Sequence, residues 1–422
     1  MRHTPVAALL VLVAALPAWG DESFDISKYE KKAFEYKGYL ELKPEEQFLN
    51  QGATGYLLQF PNDNRTTADR WSTAAELSGV LRHQALSFNF TAHGSYLKDV
   101  NGSEGDARFF EAYGRWQADP RSSIDIGKRS LGWGKGYAWN PVAFLDRPKD
   151  PVDPELSREG FVMADAEWTR SFSGPLRTLA LMPVVVPTTA DLNPDFGTAG
   201  HINPAVKLYG LAFDTDVDLI YAAKDSRPSR FGADFSRNLG SNLEIHGEWA
   251  HTVDAPRALI TPSNTLAMET LSYTSYLLGL RYLTERETTF IAEYYHNGAG
   301  YTESEMQRFF TLVHDAASTP ALVDIATRAA AQGYNSPSAM RDYGYLRVSQ
   351  NEPFDILYFT PAVTLFVNPH DHSYALIPEA IYTGVTNFEF RLRFQLNHGG
   401  AATEYGEKAV RSRIELRVRY FF

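Results

Sequence analysis

The feature that most constrains this chain is the strict alternation of its last residues. In residues 413–422 every second side chain, from Ile414 to Phe422, is apolar, and most of those between are charged. Successive side chains of a β-strand point to opposite faces, so this pattern predicts a strand with one apolar and one charged face. A face that carries three arginines and a glutamate needs water beside it. Such a strand suits a wall between lipid and a water-filled lumen.

The same stretch resembles the C-terminal signature of bacterial outer-membrane β-barrels, in which apolar residues alternate back from a final Phe, here Phe422. The resemblance covers residues 409–422 alone. It implies an outer-membrane location in a Gram-negative cell and contact with outer-membrane lipid. It also implies periplasmic chaperones and the barrel-assembly machinery as partners.

The beginning of the chain predicts secretion. Residues 1–20 combine a basic start, an apolar run from Val6 to Leu16, and small residues around a proline. That is the plan of a signal peptide, with cleavage before Asp21. The apolar run is too short to span a bilayer, which takes about 20 residues. Residues 21–32 then form a short periplasmic segment.

Composition excludes several classes of protein. The sequence contains no cysteine, which excludes disulfides, thiolate metal sites and a lipoprotein anchor. Aromatic residues make up 13% of the chain, yet the mean hydropathy of −0.31 is too low for a helical membrane protein. A net charge of −11, without a basic cluster, argues against nucleic acid as a partner.

Alternating segments recur along the whole chain and predict the fold class. We count about 18 strands, an even number typical of single-chain barrels. Short turns alternate with segments that are mostly longer, among them the predicted loops 44–70 and 254–272. The sequence therefore predicts an all-β fold, a transmembrane antiparallel up-and-down β-barrel over residues 33–422. Closure would pair the last strand with residues 34–43, placing its arginines opposite Glu35, Lys37 and Glu41.

The third external loop, residues 131–160, is dense in aromatic residues, proline and glycine. Its large rings favour burial inside the barrel. In general porins the third loop folds inward and narrows the channel, and part of this segment also loosely resembles porin-like barrels similar to alginate-export channels. An equally weighted alternative is a lid packed for stability. The predicted constriction residues are Trp133, Lys135, Tyr137, Trp139, Asp146 and Arg147.

A second loop, residues 298–341, carries a helical insertion. Thr302 and Glu305 have the spacing of a capping box and precede an apolar stripe at helical intervals. A second helix is predicted from Thr319 as N-cap, with Pro320 at its first position, to a stop at Gly333. We expect the two helices to cap the barrel mouth, with a gate or receptor surface as the alternative.

Alternation also predicts which charges face the lumen. Opposite charges on different walls would create a transverse field that selects solutes. The alternative is that the charges pair with one another in a solvated interior, where exposed pairs contribute about 0–1 kcal/mol. The predicted pore-lining residues are Arg391, Arg393, Arg413, Arg417, Arg419, Asp165, Glu167, Glu244, Glu248 and Glu293.

Enzyme motifs are missing from the sequence, and no cofactor or metal site is implied. His370 and His372 could hold a metal, but the surrounding Asn-Pro and Asp residues are typical of a turn. We therefore expect a porin-like channel for passive diffusion of small polar solutes. Aromatic rings favour sugars and the arginines favour anions. The alternative is a non-transport surface protein, a scaffold or an adhesin, that uses its external loops.

Overall fold

The computed structural model describes residues 32–422, and the predicted signal peptide and most of the segment 21–32 lie outside them. The described chain contains eighteen strands. They are β1 (Phe34–Leu49), β2 (Thr67–His83), β3 (Leu86–Asp99), β4 (Gly102–Asp119), β5 (Ser122–Arg129), β6 (Phe161–Ser171), β7 (Leu176–Val185), β8 (Pro204–Ala212), β9 (Thr215–Ala222), β10 (Arg230–Asn238), β11 (Leu243–Ile260), β12 (Leu266–Leu283), β13 (Thr288–His296), β14 (Asp342–Gln350), β15 (Phe359–Val367), β16 (Tyr374–Tyr382), β17 (Phe388–His398) and β18 (Val410–Phe421).

Each strand pairs antiparallel with the next along the chain, and β1 also pairs with β18. The sheet is thus a closed barrel without a free edge, as a strand-built membrane protein requires, since unpaired backbone groups are costly in lipid. This confirms the predicted fold class and strand number.

The two faces of the barrel differ as the alternation predicts. On β18, Ile414 and Leu416 are exposed on the outer surface, whereas Glu415 and Arg417 are buried within the barrel. The same exposure of large apolar side chains recurs on other strands, for example at Leu40, Leu77, Phe88, Ile126, Leu219, Leu278 and Leu392. An apolar band of this extent is stable only against lipid.

The seam between β1 and β18 corrects one expectation. Glu41 lies opposite Arg419, and their side chains form an ion pair of 2.6 Å. Glu35 and Lys37 lie opposite β2 instead. Glu45, further along β1, pairs with Arg413 at 3.4 Å. The expectation failed for Glu35 and Lys37 because β18 meets β1 at Tyr39 and beyond.

Two predicted loops are wrong in extent. Strand β1 continues to Leu49 and β2 begins at Thr67, so only residues 50–66 connect them. Most of the predicted loop 254–272 belongs to β11 and β12, which meet at residues 261–265. Prolines and charges interrupt the apolar alternation in this segment. They are tolerated because here the two strands extend beyond the rest of the wall and pair mainly with each other.

Helices occur only in connections within the described residues. Helix α1 (Thr54–Gln59) lies in the first loop, and α2 (Glu303–Ala316) and α3 (Val323–Ala329) lie in the seventh. Thr302 and Glu305 form the predicted capping box at the start of α2. A short 3-10 turn, Pro320–Leu322, precedes α3, and Gly333 adopts a φ of +119° where the helical segment ends. None of the helices in residues 32–422 is long and apolar enough to cross a bilayer.

The apolar core lies inside the barrel, where loops meet the wall. Buried residues of α2 and α3 form one cluster with Trp139 of the third loop and with inward side chains of β14 and β15. A second cluster joins Trp133 and Phe144 of the third loop to the wall around β6 and β7. The loops therefore pack within the barrel and at its mouth as parts of one folded unit.

Candidate functional site in the barrel lumen

The third loop, residues 130–160, is attached to the wall by a carboxylate that binds its backbone. Glu248 of β11 accepts hydrogen bonds from the backbone N–H groups of Lys135 (2.6 Å), Gly136 (2.7 Å) and Val142 (3.2 Å). A buried carboxylate is tolerated when donors surround it, and these donors come from one loop. The predicted pore-lining residue Glu248 thus holds the third loop in place.

Glu293 of β13 acts in the same way next to it. Its carboxylate accepts from the backbone N–H groups of Tyr137 (2.5 Å) and Ala138 (2.9 Å), and it lies 3.0 Å from Nε2 of His246. The two glutamates therefore bind consecutive parts of the loop. Glu244 lies two residues before His246 on the same face of β11, and its carboxylate lies 3.4 Å from the hydroxyl of Tyr137.

Two glycines permit this close approach. Gly134 has a φ of +100°, and a Cβ atom there would lie 2.7 Å from Oε1 of Glu248. A Cβ atom on Gly136 would lie 2.1 Å from the carbonyl oxygen of Trp139. The two glycines are thus explained by the contact of the backbone with the wall at Gly134 and by the tight fold of the loop on itself at Gly136.

Trp139 packs the loop against aromatic side chains of β13 and β15. Its ring stacks on Tyr295 with centroids 5.1 Å apart and meets Phe366 edge-on at 5.9 Å. Its Nε1 group donates a hydrogen bond of 3.0 Å to Ser338 of the seventh loop. The third and seventh loops therefore support each other. Trp133 is buried in the other cluster, beneath Lys207.

Lys135 carries a positive charge from the loop to an acidic part of the wall. Its Nζ atom lies 3.2 Å from Asp218 of β9 and 3.9 Å from Asp234 of β10. Burial acts to lower the pKa of Lys135, but these two carboxylates more than offset it, so the pKa lies above its usual value. Lys135 remains charged at neutral pH.

Asp146 and Arg147 lie near the base of the loop. Asp146 accepts from the backbone N–H of Leu131 (2.7 Å) and of Trp133 (3.1 Å), which closes the loop on itself. Arg147 pairs with Asp195 of the fourth loop. Both residues stabilise loop structure in this arrangement.

A group of arginines on β17 and β18 meets an anion from the third loop. Asp153 lies 2.6 Å from Arg417, 3.3 Å from Arg391 and 3.8 Å from Arg393. We call these three arginines the arginine cluster. Burial acts to raise the pKa of Asp153, but the positive charges of the cluster outweigh it, and the pKa lies below its usual value. Asp153 is thus an anion held permanently among the arginines.

Wall carboxylates supply the remaining partners of these arginines. Glu379 of β16 lies 3.1 Å from Arg393 and 3.9 Å from Arg391. Glu415 lies 3.7 Å from Arg393, and Glu41 of β1 lies 3.9 Å from Arg417. The arginine cluster is therefore interleaved with negative charge within its own wall.

Two further predicted residues lie elsewhere on the inner face. Asp165 of β6 pairs with Arg129 at 2.9 Å, and Glu167 lies 3.1 Å from the hydroxyl of Thr169. The structure brings Arg391, Arg393 and Arg417 into one cluster and Glu244, Glu248 and Glu293 into another. Asp165 and Glu167 lie apart from both groups on another strand.

Several important groups escaped the sequence analysis. Glu379, Asp218 and Asp234 are buried on the inner face of regular strands, so the alternation alone would have found them. Asp153 lies in an irregular loop and gives no periodic signal. His370, considered as a metal ligand, lies 2.5 Å from the carboxylate of Asp342 through Nε2, and His372 has a φ of +59°.

Known proteins resemble this chain in fold but not in sequence. No family model matches the sequence, and no curated protein matches it. Solved structures share the fold. A BenF-like porin from Pseudomonas fluorescens Pf-5 is 10% identical, with a TM-score of 0.54 over 92% of this chain and 98% of its own. OccK5 (OpdH) of Pseudomonas aeruginosa is 10% identical, with a TM-score of 0.52 over the same shares.

The chain has the fold of a porin-like outer-membrane β-barrel. OpdQ of Pseudomonas aeruginosa supports the same conclusion, with 11% identity and a TM-score of 0.51 over 92% of this chain and 98% of its own. At such identities the likeness concerns the fold of this porin-like barrel, and its chemistry is argued from its own residues.

Proposed function

We propose that this porin-like barrel is an outer-membrane channel for passive diffusion of small polar solutes, with the third loop at its constriction. The observation that carries the proposal is a closed barrel with an apolar outer face and a charged inner face, into which one loop folds. A polar interior of this kind is typical of water-filled channels. The loop is joined to the lumen wall by its hydrogen bonds to Glu248 and by the ion pairs that Lys135 and Asp153 form with wall residues.

The lumen chemistry supports a proposal for the solute class. The arginine cluster favours anions, and the aromatic residues near Trp139 favour sugars, so we propose anionic or saccharide solutes. Outer-membrane lipid would surround the barrel, and periplasmic chaperones and the barrel-assembly machinery would deliver it. The predicted signal peptide, residues 1–20, would direct its export.

Conductance in planar bilayers tests the channel. The purified, folded protein is expected to give discrete conductance steps, and liposome swelling would compare neutral sugars with organic acids of similar size. Folding is checked independently by heat-modifiable mobility on a detergent gel. A folded protein that conducts no current in any orientation would contradict the proposal.

One observation favours a second candidate. The connections 50–66, 130–160, 297–341 and 399–409 pack together at the external mouth, with α2 beside the first loop. Such packing would also suit a non-transport surface protein that presents these loops to a partner. An electrically silent but folded barrel would support this candidate.

A further inference from the structure

The external half of the lumen contains a cavity that none of the contacts described above fills. Its volume is about 630 Å³, and pockets of about 300–1,000 Å³ hold small-molecule ligands. It lies between α1, the third loop, the seventh loop and the wall formed by β15 to β18. The cavity is lined in part by Leu58, Trp139, Val152, Phe366, Gln395 and Arg413.

Two residues of the cavity lining each have a polar atom without a hydrogen-bond partner among the described residues. Gln395 of β17 and Arg413 of β18 lie directly opposite each other in the sheet. Within residues 32–422, Oε1 of Gln395 and Nε of Arg413 are buried without a hydrogen-bond partner. Other atoms of the same side chains have partners, since Nε2 of Gln395 donates to Asn397 at 3.0 Å and Nη1 of Arg413 lies 3.4 Å from Glu45.

These two atoms require opposite hydrogen-bonding roles from a ligand. Oε1 of Gln395 accepts a hydrogen bond, whereas the Nε–H group of Arg413 donates one. A hydroxyl group does both, while an ionised carboxylate only accepts. The pair therefore matches a hydroxyl group better than an organic acid.

Charge in the cavity leads to the same conclusion. Arg413 is offset by Glu45, and the lining also contains Lys408 and Asp150, which carry opposite charges. The arginine cluster already holds Asp153. A solute entering the cavity thus meets little net charge.

Other residues of the cavity lining are apolar. Pro151 and Val152 of the third loop, Leu58 of α1, and Phe366 of β15 contribute hydrocarbon surface. A pyranose ring has an apolar C–H face and a rim of hydroxyl groups. This chemistry matches a cavity lined by both apolar and hydrogen-bonding groups.

We propose that this cavity is a binding site for an uncharged saccharide, with one ring against the apolar lining residues and a hydroxyl group between Gln395 and Arg413. The inference rests on the proposed function, since it names the solute class that would enter the channel. It assigns the selection between saccharides and organic acids to hydrogen bonding rather than to the arginine cluster.

Calorimetric titration of the full-length folded protein in detergent tests this site, with maltose and succinate as probes. Maltose is expected to bind saturably and succinate to bind more weakly. Gln395→Leu should weaken maltose about tenfold, the loss expected when a buried donor is left unpaired. Asn89→Leu, which removes an amide on the inner face of β3 outside this cavity, is the matched control.

A second variant, Ala375→Phe, fills the cavity from β16 without removing a polar group and should abolish maltose binding. Heat-modifiable mobility confirms folding of each variant. Succinate binding tighter than maltose, or maltose binding that neither variant changes, would overturn the site. Maltose binding without conductance would overturn the channel and leave the site, whereas conductance without maltose binding would do the reverse.

Discussion

At the residue scale, charges that look free in the sequence are paired in the structure. Glu248 and Glu293 bind backbone N–H groups of the third loop, and the arginine cluster binds Asp153. Removing one partner from a buried ion pair leaves an uncompensated charge, which is strongly destabilising. These residues therefore set the position of the loop as well as the potential in the lumen.

Asp153→Asn is expected to make the channel more anion-selective. The substitution removes a negative charge from the arginine cluster, while Arg391 and Arg393 retain Glu379. The stability loss should therefore fall below the roughly 3–5 kcal/mol typical of a broken buried pair. Reversal potentials across a salt gradient measure the selectivity.

Asp150→Asn is the matched control for this change. It removes the same charge three residues away, and within the described chain Asp150 forms no ion pair with an arginine. An equal shift in both variants would show that the contact between Asp153 and the arginine cluster has no special effect on selectivity.

Glu248→Gln is expected to loosen the third loop. The amide group of glutamine would place a donor where the carboxylate accepts from the loop, and each lost hydrogen bond to a charged group costs about 1.5–3 kcal/mol. Larger current fluctuations and faster proteolysis within residues 130–160 would follow.

Glu244→Gln provides the comparison for Glu248→Gln. Its contacts with Tyr137 and Ser236 are long, at 3.4 and 3.5 Å, so the loop should stay in place. Indistinguishable proteolysis of the two variants would contradict the role of Glu248 as the loop anchor.

At the element scale, the two helical caps of the seventh loop differ. The side chain of Thr302 accepts from the backbone N–H of Glu305, whose carboxylate accepts from the backbone N–H of Thr302. Thr319, expected to be an N-cap, has no side-chain cap hydrogen bond among the described residues. A 3-10 turn starts there instead, because Pro320 begins a tighter helical segment before α3.

Thr302→Ala should therefore destabilise α2 by about 1 kcal/mol, the usual cost of losing an N-cap. Hydrogen exchange of the α2 amides measures the change, and Thr319→Ala should leave exchange in α3 unaltered. If Thr319→Ala accelerates exchange as much as Thr302→Ala does, the difference between the caps is contradicted.

At the scale of the whole molecule, closure joins the two ends of the barrel. Gly38 of β1 exchanges hydrogen bonds of 3.0 Å with Phe422, and the ring of Phe422 covers it. A Cβ atom on Gly38 would lie 2.7 Å from that ring and 2.4 Å from the carbonyl oxygen of Glu76. The terminal Phe thus needs a glycine on the neighbouring strand.

Gly38→Ala should impair closure of the barrel, because the carbonyl oxygen of Glu76 belongs to the backbone and cannot move aside as a side chain can. The expected cost is about 1–3 kcal/mol, as for other overpacked sites. The folded fraction on a heat-modifiable gel after refolding in detergent measures it. Gly94→Ala on β3, where the nearest atom would be 3.8 Å away, is the control, and an equal loss in both variants would refute the explanation.

Most of the wall was predictable because alternation is local. The barrel has the predicted number of strands, and the faces of β18 are as predicted. Prediction failed in residues 254–272, where strands β11 and β12 extend beyond the rest of the wall and pair mainly with each other. There a regular apolar face is not required, so the sequence has no clear period.

The sequence by itself determined the barrel, its inward charges and the capping box of α2, since each depends on neighbours a few residues apart. Only the tertiary structure decided which charges pair. Asp153 and Arg417 are 264 positions apart, and the approach of Asp153 depends on an irregular loop without periodicity. The ion pairs and the cavity beside Gln395 form between segments that are far apart in the sequence, and local sequence patterns do not encode such contacts.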